Sequence, residues 1–589
     1  MESAHLDIIS PDTAGTLHGL FLERSQRSPG AVAYRYFDDQ TQQWCDVTWA
    51  QMAAEVAACQ ASMVQLSLAV GDRVAIMAKN CREWVIFEQA ALGLGLVVVP
   101  LYANDRAESV AYILDDADVK LLLIEGAEHW LALQTEECVA LRPELLVWSM
   151  VPIPGSGVAS LAEMMWAKEA ELQTAAVEPW ALATIVYTSG TTGKPKGVML
   201  SHYNILWNAY AGMQAVSVYA DDLFLSFLPL SHALERSIGY YLPMMAGATV
   251  AYARSIPHLA EDLQVVQPTV IIAVPRIFER SYNRIQETLT KSVARALFDK
   301  TVEVGWRRFE IAQGRANWQL QQLMWPLLQR LVADKVMAKL GGKLRIAICG
   351  GAALPPKVGQ TFVALGLNLL QGYGMTEASP VVAVNTPESN DPASVGLPLP
   401  DVQVMIGDED ELLVASPGVM LGYWNNPEAT AATVDETGWL HTGDKARIDN
   451  GHIYITGRLK DILVLANGEK MPPCDMEDAI AEDPLFEQVI VLGDARPFLS
   501  ALVVLNAVVA KGLGIEEVPD DHAMKKIILP RITERLSCFP GYARVRRVAT
   551  VREPWSVENG LLTPTLKPKR LRILERYKVL IDKLYEGHS

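Results

Sequence analysis

Short apolar runs rich in valine, isoleucine and leucine recur along the first 350 residues and alternate with longer stretches of helical periodicity. Helix-like segments such as Asn80 to Leu92 and Ala107 to Asp115 lie between the runs. Strands that alternate with helices build parallel sheets covered by helices, so the pattern predicts an α/β architecture. The runs that we interpret as buried strands are Arg73 to Met77, Val97 to Leu101, Lys120 to Ile124, Thr184 to Tyr187, Val270 to Val274 and Leu344 to Cys349.

A different texture begins after about residue 395, where short alternating strands and frequent turns replace this pattern. The segment from Gly443 to Ile455 contains the pair Asn450-Gly451, which favours a tight β-hairpin turn. A second, smaller unit of mixed strands and helices follows from about Asp461. The sequence therefore predicts a large α/β domain followed by a small α+β domain.

The charge balance limits the classes of function. The chain has 589 residues, of which 51 are basic and 68 acidic, for a net charge of −17. A general nucleic-acid binder needs an excess of basic residues to neutralise phosphates, so we expect no nucleic-acid partner. With 50 % hydrophobic and 20 % charged residues, the composition is that of a large globular protein.

Targeting signals and a disulfide framework are both unsupported by the sequence. The longest apolar run, Ala90 to Ala103, contains Pro100 and is shorter than the roughly 20 residues that span a bilayer. The first residues, Met1 to Asp7, lack the basic start and apolar core of a secretory signal. The seven cysteines are scattered and never form a Cys-x-x-Cys pair, which indicates reduced thiols. We therefore expect a cytoplasmic location.

The segment 291–343 is unusually basic. It contains Trp306, Trp318 and Trp325 at helical spacing, and its basic residues exceed its acidic ones by ten to four. An amphipathic element of this kind is typical of peripheral contact with a membrane, here at the inner face. A helical hairpin that packs on its own domain and exposes a basic face is an equally good interpretation. The ten basic residues are Lys291, Arg295, Lys300, Arg307, Arg308, Arg315, Arg330, Lys335, Lys339 and Lys343.

The strongest local signal is the segment from Tyr187 to Val198, which reads Tyr-Thr-Ser-Gly-Thr-Thr-Gly-Lys-Pro-Lys-Gly-Val and follows a predicted strand. Small hydroxyl residues and glycines let the backbone approach a polyphosphate closely, and lysines add positive charge. The segment is not a Walker A loop, because Gly190 and Gly193 are too close together and Pro195 interrupts the required order. The segment therefore predicts a phosphate-binding loop of another kind.

This loop resembles the signature of the AMP-forming adenylating superfamily, which includes acyl-CoA synthetases, firefly luciferase and peptide-synthetase adenylation domains. Further motifs follow in the superfamily's order, and the resemblance spans about residues 15 to 575. The wording of the motifs at 228–236, 274–280 and 562–567 is most similar to that of long-chain fatty acyl-CoA synthetases. These motifs are Leu-Pro-Leu-Ser-His-Ala-Leu-Glu-Arg at 228–236, Val-Pro-Arg-Ile-Phe-Glu-Arg at 274–280, Gly-Gly-Ala-Ala-Leu at 350–354, Gln-Gly-Tyr-Gly-Met-Thr-Glu at 371–377, His-Thr-Gly-Asp at 441–444, Gly-Arg-Leu-Lys-Asp at 457–461 and Leu-Thr-Pro-Thr-Leu-Lys at 562–567.

The resemblance implies a specific domain organisation. A large N-terminal domain of several subdomains would occupy residues 1–456, with two β-sheets flanked by helices and a distorted β-barrel. Residues 457–461 would form a hinge, and residues 462–589 a small mobile C-terminal α+β domain. The basic helical insertion at about 291–343 would belong to the large domain.

The reaction implied by the resemblance has two steps. A fatty acid carboxylate would attack the α-phosphate of ATP in the presence of Mg²⁺, giving an acyl adenylate and pyrophosphate, and CoA would then displace AMP. The partners would be the fatty acid, ATP and CoA. The oligomeric state stays open, with a homodimer as one alternative.

Residue roles follow from the same resemblance. Glu377 and Thr188 would hold Mg²⁺, Thr376 would contact the α-phosphate, and Lys567 would bridge the acyl and phosphate oxygens. His232 and Gly350 would border the acyl pocket, Lys460 would act as the hinge, and Asn467, Gly468 and Glu469 would form the CoA loop. The nucleotide would contact Thr188, Ser189, Gly190, Thr191, Thr192, Gly193, Lys196, Gly351, Tyr373, Gly374, Asp444 and Arg458.

Several alternatives remain open from the sequence. Leu566 and Pro568 depart from the superfamily pattern around the catalytic lysine, so Lys569 competes with Lys567 for that role. A fatty acyl-AMP ligase would pass the adenylate to a carrier protein, although residues 461–473 lack the insertion that such relatives carry. A β-lactone synthetase would keep the same adenylation motifs. A membrane scaffold without catalysis would need a damaged site, and the motifs contain no such lesion.

Overall fold

The computed structural model describes residues 7–140, 145–165, 170–188, 195–289, 292–459, 463–466, 470–471, 473–515, 523–539, 544–557, 559–563 and 568–586. Strands and helices alternate through the large domain as predicted. The strands are β1 (Val32–Asp38), β2 (Gln43–Thr48), β3 (Arg73–Met77), β4 (Val97–Leu101), β5 (Val119–Ile124), β6 (Leu146–Ser149), β7 (Ala159–Ser160), β8 (Leu182–Thr188), β9 (Lys196–Ser201), β10 (Leu223–Ser226), β11 (Thr249–Tyr252), β12 (Val270–Ala273), β13 (Ile346–Cys349), β14 (Leu369–Gly374), β15 (Val381–Val384), β16 (Leu397–Pro398), β17 (Gln403–Ile406), β18 (Glu411–Ala415), β19 (Gly422–Tyr423), β20 (Leu440–Asp449), β21 (His452–Arg458), β22 (Leu463–Val464), β23 (Lys470–Met471), β24 (Phe486–Leu492), β25 (Leu499–Leu505) and β26 (Val545–Val551).

The helices include long amphipathic ones on the sheet faces and several short ones in connections. Short 3₁₀ segments lie at Leu320–Met324, Thr376–Ala378, Asp408–Asp410 and Leu536–Cys538, and π-helical segments lie at Glu235–Tyr241, Gln329–Ala333 and Met524–Ile528. The α-helices are α1 (Pro11–Ala14), α2 (Leu17–Arg27), α3 (Trp49–Val64), α4 (Arg82–Gly93), α5 (Ala107–Asp116), α6 (Ala127–Ala132), α7 (Glu136–Ala140), α8 (Leu161–Met164), α9 (His202–Ala215), α10 (Leu242–Ala246), α11 (Leu259–Val266), α12 (Pro275–Thr288), α13 (Ser292–Ala312), α14 (Trp325–Leu328), α15 (Asp334–Lys339), α16 (Pro356–Ala364), α17 (Pro427–Thr433), α18 (Pro473–Ala481), α19 (Ala507–Gly512), α20 (Leu529–Arg535), α21 (Arg570–Arg576) and α22 (Lys578–Tyr585).

Two large sheets form the centre of the N-terminal domain. One sheet has the strand order β16-β15-β14-β13-β12-β10-β11-β1-β2, and the other has the order β19-β9-β8-β4-β3-β5-β6-β7. Pairing is parallel from β14 to β1 in the first sheet and from β8 to β7 in the second. Strands such as β4 are buried along their whole length, as expected for parallel sheets covered by helices. The α/β prediction is therefore confirmed.

Two smaller sheets follow. Strands β17, β18, β20 and β21 form an antiparallel sheet in the region after residue 395, where the sequence predicts short alternating strands. The predicted hairpin turn lies between β20 and β21, and Asn450 and Gly451 both have positive φ, as a tight turn of this type requires. In the C-terminal α+β region, β24, β25 and β26 form a sheet with apolar clusters on both faces. Because β21 continues to Arg458, the first two residues of the predicted hinge belong to a strand.

The basic segment forms a helical subdomain beside the first sheet. Helix α13 packs on α16, and the chain then returns through α14 and α15. Trp325 is buried, and Trp306 packs against Phe309, so only Trp318 of the three tryptophans is exposed. No helix within the described residues is long and apolar enough to cross a bilayer.

Candidate active site

A cleft with a volume of about 4070 Å³ opens where the parallel strands of both large sheets end. Its walls include Ala78 after β3, Tyr102 after β4, Phe227 after β10, Val274 after β12 and Gly350 after β13. In open α/β sheets, ligands bind in the crevice outside the carboxyl ends of the strands. The topology therefore places a candidate site in the cleft between the two sheets.

The β8–β9 hairpin carries the predicted phosphate-binding loop. Thr188, at the end of β8, pairs with Lys196 at the start of β9, and both residues line the cleft. The side chain of Lys196 lies over the ring of Tyr423 on the neighbouring strand β19, with its Nζ atom 4.9 Å from the centre of the ring. The candidates Ser189, Gly190, Thr191, Thr192 and Gly193 lie outside the described residues.

Glu377 is held by a residue that the sequence analysis missed. The hydroxyl of Tyr423 donates a 2.8 Å hydrogen bond to Oε1 of Glu377. Tyr423 lies on β19, which pairs with β9, so the strand register brings it from a distant part of the chain. Burial and the charge of Glu377 raise the pKa of Tyr423, which keeps the hydroxyl protonated as a donor. Its sequence signal is weak, because a Gly-Tyr pair in a loop has many ordinary roles.

Hydrogen bonds to α9 hold the turn that carries Thr376 and Glu377 in place. Asn208 of α9 donates to the carbonyl oxygen of Val381 at 2.8 Å and accepts from the Val381 N–H at 3.1 Å. Ser379 donates to the carbonyl oxygen of Gly418 at 2.7 Å. These buried bonds tie the turn to two neighbouring segments, so the Glu377 carboxylate is presented from a rigid base.

Asp444 links Tyr373 and Arg458. The hydroxyl of Tyr373 donates to Oδ2 of Asp444 at 2.5 Å, and Nε of Arg458 donates to Oδ1 at 2.9 Å. Asp444 is buried, whereas the Arg458 side chain is about half exposed. Burial, reinforced by the negative charge of Asp444, raises the pKa of Tyr373 well above its usual range. The three predicted nucleotide contacts therefore form one hydrogen-bonded group in the cleft.

The loop before Asp444 is also closely fixed. Glu411 accepts from the Gly443 N–H at 2.8 Å and contacts Nδ1 of His441 at 2.9 Å. Gly443 has a φ of +70°, a conformation that glycine adopts without strain. Thr442 donates to the carbonyl oxygen of Leu412 at 2.7 Å and accepts from the Asp444 N–H at 3.1 Å. The Asp444 carboxylate thus has a defined direction.

Glycines bring the backbone close to the cleft at three predicted positions. A Cβ atom at Gly374 would lie 2.0 Å from the carbonyl oxygen of Pro380, so no side chain fits there. A Cβ atom at Gly350 would lie 3.3 Å from Leu234, which belongs to the motif at 228–236. Gly351 has a φ of +82°. Cys349, directly before this turn, is fully buried and burial raises its pKa, which agrees with a packing role rather than a nucleophilic one.

An apolar arm of the cleft extends between α9 and the π-helical segment Glu235–Tyr241. Gly212, Val216, Ile238 and Leu242 line this arm. His232 also lines the cleft, and its Nδ1 accepts from the Leu234 N–H at 3.2 Å. The arrangement suits a ligand with a polar head and an apolar tail.

Buried charges hold the π-helical wall of this arm in place. Arg236 donates to Oε1 of Glu88 at 2.7 Å and to Thr184 of β8 at 2.7 Å. Glu235, also buried, accepts from Ser226 at 2.6 Å, and burial raises its pKa to about 8. Glu235 therefore carries a proton at neutral pH, and its neutral form suits the apolar wall.

The predicted residues of the small domain are only partly described. Lys567, the hinge residue Lys460 and the CoA loop Asn467, Gly468 and Glu469 lie outside the described residues. The neighbours Thr563 and Pro568 both line the cleft. The rival candidate Lys569 is half-buried, and burial together with the charge of Arg106 lowers its pKa.

The donor set fits a magnesium ion that is carried mainly by a nucleotide. Glu377 and Thr188 both line the cleft, and both offer the oxygen ligands that Mg²⁺ prefers. Within the described residues no group of three or more His, Cys, Asp or Glu side chains could hold a metal ion alone. Mg²⁺ commonly binds through one or two protein oxygens plus phosphates and water, so the residues present fit this ion.

Solved structures with the same fold are adenylate-forming enzymes. The anthranilate CoA ligase AuaEII with anthranoyl-AMP has a TM-score of 0.75 at 18 % identity, covering 96 % of this chain and 98 % of that chain. The A-PCP didomain of a carboxylic acid reductase from Segniliparus rugosus with AMP has a TM-score of 0.77 at 20 % identity, covering 97 % of this chain and 82 % of that chain. At these identities the likeness shows a shared fold.

Similar sequences extend over nearly the whole chain. The long-chain-fatty-acid–CoA ligase FadD15 of Mycobacterium bovis is 30 % identical, covering 98 % of this chain and 99 % of its own length. Long-chain-fatty-acid–CoA ligase 1 of Homo sapiens is 31 % identical, covering 93 % of this chain and 83 % of its own length. The models for the AMP-binding enzyme family and for the AMP-binding enzyme C-terminal domain match residues 21–424 and 460–589. The chain therefore belongs to the AMP-binding enzyme family.

Proposed function

We propose that the protein is an AMP-forming ligase that joins a long-chain fatty acid to CoA through an acyl adenylate. One observation carries the proposal: the apolar arm beside α9 and the polar group around Glu377 and Asp444 belong to one continuous cleft. A fatty acid in the arm would present its carboxylate to a nucleotide held by the polar group. The full-length similarity to long-chain-fatty-acid–CoA ligases supports the same substrate class.

In the first step, a carboxylate oxygen attacks the α-phosphate of ATP and pyrophosphate leaves. Both reactants are anions, so the site must offset their repulsion and the charge that develops in the transition state. Lys196, Thr376 and Lys567 supply cations and a hydrogen-bond donor for the phosphate oxygens. Mg²⁺, held by Glu377 and Thr188, would supply further positive charge to the phosphates.

Nucleotide placement depends on the Asp444 group. Asp444 would accept from the ribose hydroxyls, Arg458 would keep its carboxylate in position, and the ring of Tyr373 would lie against adenine. A ribose hydroxyl would compete with the existing hydrogen bonds to Asp444, so binding would rearrange this group.

In the second step, the CoA thiol attacks the acyl carbonyl and AMP leaves. The small domain would rotate about Lys460, remove Lys567 from the cleft and present Asn467, Gly468 and Glu469 to the pantetheine chain. The proposal includes a cytoplasmic location, which the scattered cysteines without a Cys-x-x-Cys pair support.

A carrier protein is the alternative acceptor. A long-chain-fatty-acid–[acyl-carrier-protein] ligase of Arabidopsis thaliana is 28 % identical over 92 % of this chain. Product analysis separates the alternatives: palmitate, ATP and Mg²⁺ should yield pyrophosphate, and AMP release should then require CoA. Release that requires acyl carrier protein in place of CoA would replace the second step, and formation of ADP would reject the proposal.

A further inference from the structure

Exposed apolar side chains form a row on the helical subdomain. We call this row the apolar ridge, and Leu320, Leu323, Met324, Leu327 and Leu331 form it. Their spacing of three, four, seven and eleven positions is that of one face of an α-helix, and the segment is helical throughout, as a 3₁₀ turn, an α-helical turn and a π-helical turn in succession. The exposed fractions of the four leucines are 76, 71, 62 and 42 %. Contiguous apolar patches of this kind mark interaction sites.

The opposite face of the same segment is firmly packed. Trp325 and Leu328 are buried against Phe298 and Val304 of α13. Gln322 donates to the carbonyl oxygen of Val304 at 3.2 Å, and Arg308 lies over the Trp325 ring. One apolar face of the segment therefore packs against its own domain, and the apolar ridge is a second apolar face that points outward.

Exposed basic residues lie within and directly after the apolar ridge along the chain. Arg330, Lys335, Lys339 and Lys343 are exposed, and within the described chain they form no ion pair with an acidic side chain. Other cations of the subdomain are neutralised, for example Lys300 by Glu303. A protein with a net charge of −17 thus has a basic border beside its exposed apolar face.

We propose that the apolar ridge inserts into the surface of an anionic lipid bilayer, with the flanking basic residues on the headgroups. Exposed leucines, a tryptophan at the end of the row (Trp318) and basic neighbours together are typical of interfacial elements. A second copy of the chain fits less well, because symmetric packing of two ridges would place their basic borders against each other. An anionic bilayer offers an apolar interior for the ridge and negatively charged headgroups for the basic residues.

The position of the apolar ridge suits substrate delivery, a point that rests on the proposed function. Arg295 near the start of α13 lines the cleft. Lys300, about 7 Å further along that helix, donates to Gln321 beside the ridge at 3.3 Å. A bound bilayer would therefore lie near the wall that carries Arg295, and a long-chain fatty acid dissolved in it would reach the cleft at that wall.

Vesicle sedimentation of the full-length protein without nucleotide tests the proposal. The triple variant L320S/L323S/L327S should lose at least about tenfold in partition onto vesicles of phosphatidylglycerol and phosphatidylcholine, since three leucines no longer enter the interface. The variant R330Q/K335Q/K339Q should lower binding to these vesicles but not change binding to pure phosphatidylcholine. Salt should weaken binding of the wild-type protein.

A matched control removes the same amount of exposed apolar surface elsewhere. Leu131, Val508 and Val579 are 69, 82 and 73 % exposed, so L131S/V508S/V579S should bind vesicles like the wild-type protein. Equal binding by the ridge variant and the wild-type protein would overturn the proposal. Self-association that the ridge variant abolishes, with no vesicle binding by the wild-type protein, would also overturn it and assign the ridge to a second copy.

Activity gives an independent readout. The ridge variant should lose kcat/KM for palmitate presented in anionic vesicles but keep kcat/KM for water-soluble octanoate. Equal losses for both substrates would overturn the delivery role. If the wild-type protein activates no fatty acid, the proposed function fails while the sedimentation result still decides the membrane contact.

Discussion

Tyr423 and Glu377 lie 46 positions apart in the chain, and a 2.8 Å hydrogen bond joins the Tyr423 hydroxyl to the Glu377 carboxylate. Tyr423 belongs to the sheet that carries the β8–β9 hairpin, whereas Glu377 follows β14 of the other large sheet. The bond therefore connects the two walls of the cleft. It also leaves the second oxygen of Glu377 available for a cation.

We predict that Y423F lowers the affinity for Mg²⁺ during adenylation, so that more Mg²⁺ is needed, without abolishing the reaction. The carboxylate of Glu377 would lose the donor that orients it, and loss of such a supporting contact commonly costs about 10- to 100-fold in metal affinity. E377A should abolish magnesium-dependent pyrophosphate release. Y454F is a matched control, because Tyr454 makes a similar 2.7 Å bond to Asp391. Wild-type magnesium titration by Y423F would contradict the prediction.

The chain length of the substrate should depend on Gly212. A Cβ atom there would lie 3.4 Å from Leu242 and 3.5 Å from Ile238, so G212A should be tolerated. G212F would place a ring in the apolar arm and should lower kcat/KM for palmitate by at least about tenfold relative to octanoate, since added methylenes no longer fit. A fatty-acid panel measures this ratio, and an unchanged ratio in G212F would exclude the arm as the acyl site.

Glu235 should make the folded protein less stable as the pH rises. Its pKa is about 8 in the folded protein against 4.5 ordinarily, so between these values the folded state holds one proton more than the unfolded state. This stabilisation is complete below pH 4.5 and is lost as the pH rises toward 8, with a slope of about 1.4 kcal/mol per pH unit. Glutamine does not titrate, so in E235Q the free energy of unfolding, measured with urea at several pH values, should decline less as the pH rises. Parallel pH profiles for E235Q and the wild-type protein would contradict the prediction.

The two half-reactions should separate in K567A. Acyl-adenylate formation should slow by a factor of about 100 to 1000, as after loss of a transition-state donor, while thioester formation from supplied acyl adenylate and CoA should stay nearly unchanged. K569A should change adenylation little. A larger defect in K569A would move the catalytic role to Lys569, and equal losses in both half-reactions of K567A would reject domain alternation.

Local patterns predicted the fold well where local chemistry decides it. Arg73–Met77 and Val97–Leu101 are strands with the bounds that their apolar, β-branched composition indicated. The Asn450-Gly451 pair located a hairpin turn, because few residue pairs accept its dihedral angles. In the site, Tyr373, Asp444 and Arg458 from separate motifs lie together in one cleft, and their roles toward a nucleotide stay predictions.

Contacts between distant segments could not be read from the sequence. Tyr423 reaches Glu377 through the pairing of β19 with β9, which no local pattern specifies. The segment 320–331 shows helical periodicity, but periodicity does not say which apolar face packs inward. Trp325 and Leu328 point to the core and the four leucines of the apolar ridge point outward, so the exposed element is leucine-rich rather than tryptophan-rich. The role of Lys567 stays a prediction from its motif.

The fate of the carboxylate oxygens tests the central claim most directly. If the carboxylate attacks the α-phosphate and CoA then attacks the acyl carbon, one carboxylate oxygen must leave with AMP. Palmitate labelled with ¹⁸O in both carboxylate oxygens, incubated with ATP, Mg²⁺ and CoA, should therefore give AMP that carries one ¹⁸O atom by mass spectrometry, and unlabelled pyrophosphate. Unlabelled AMP, or label in the pyrophosphate, would contradict the account.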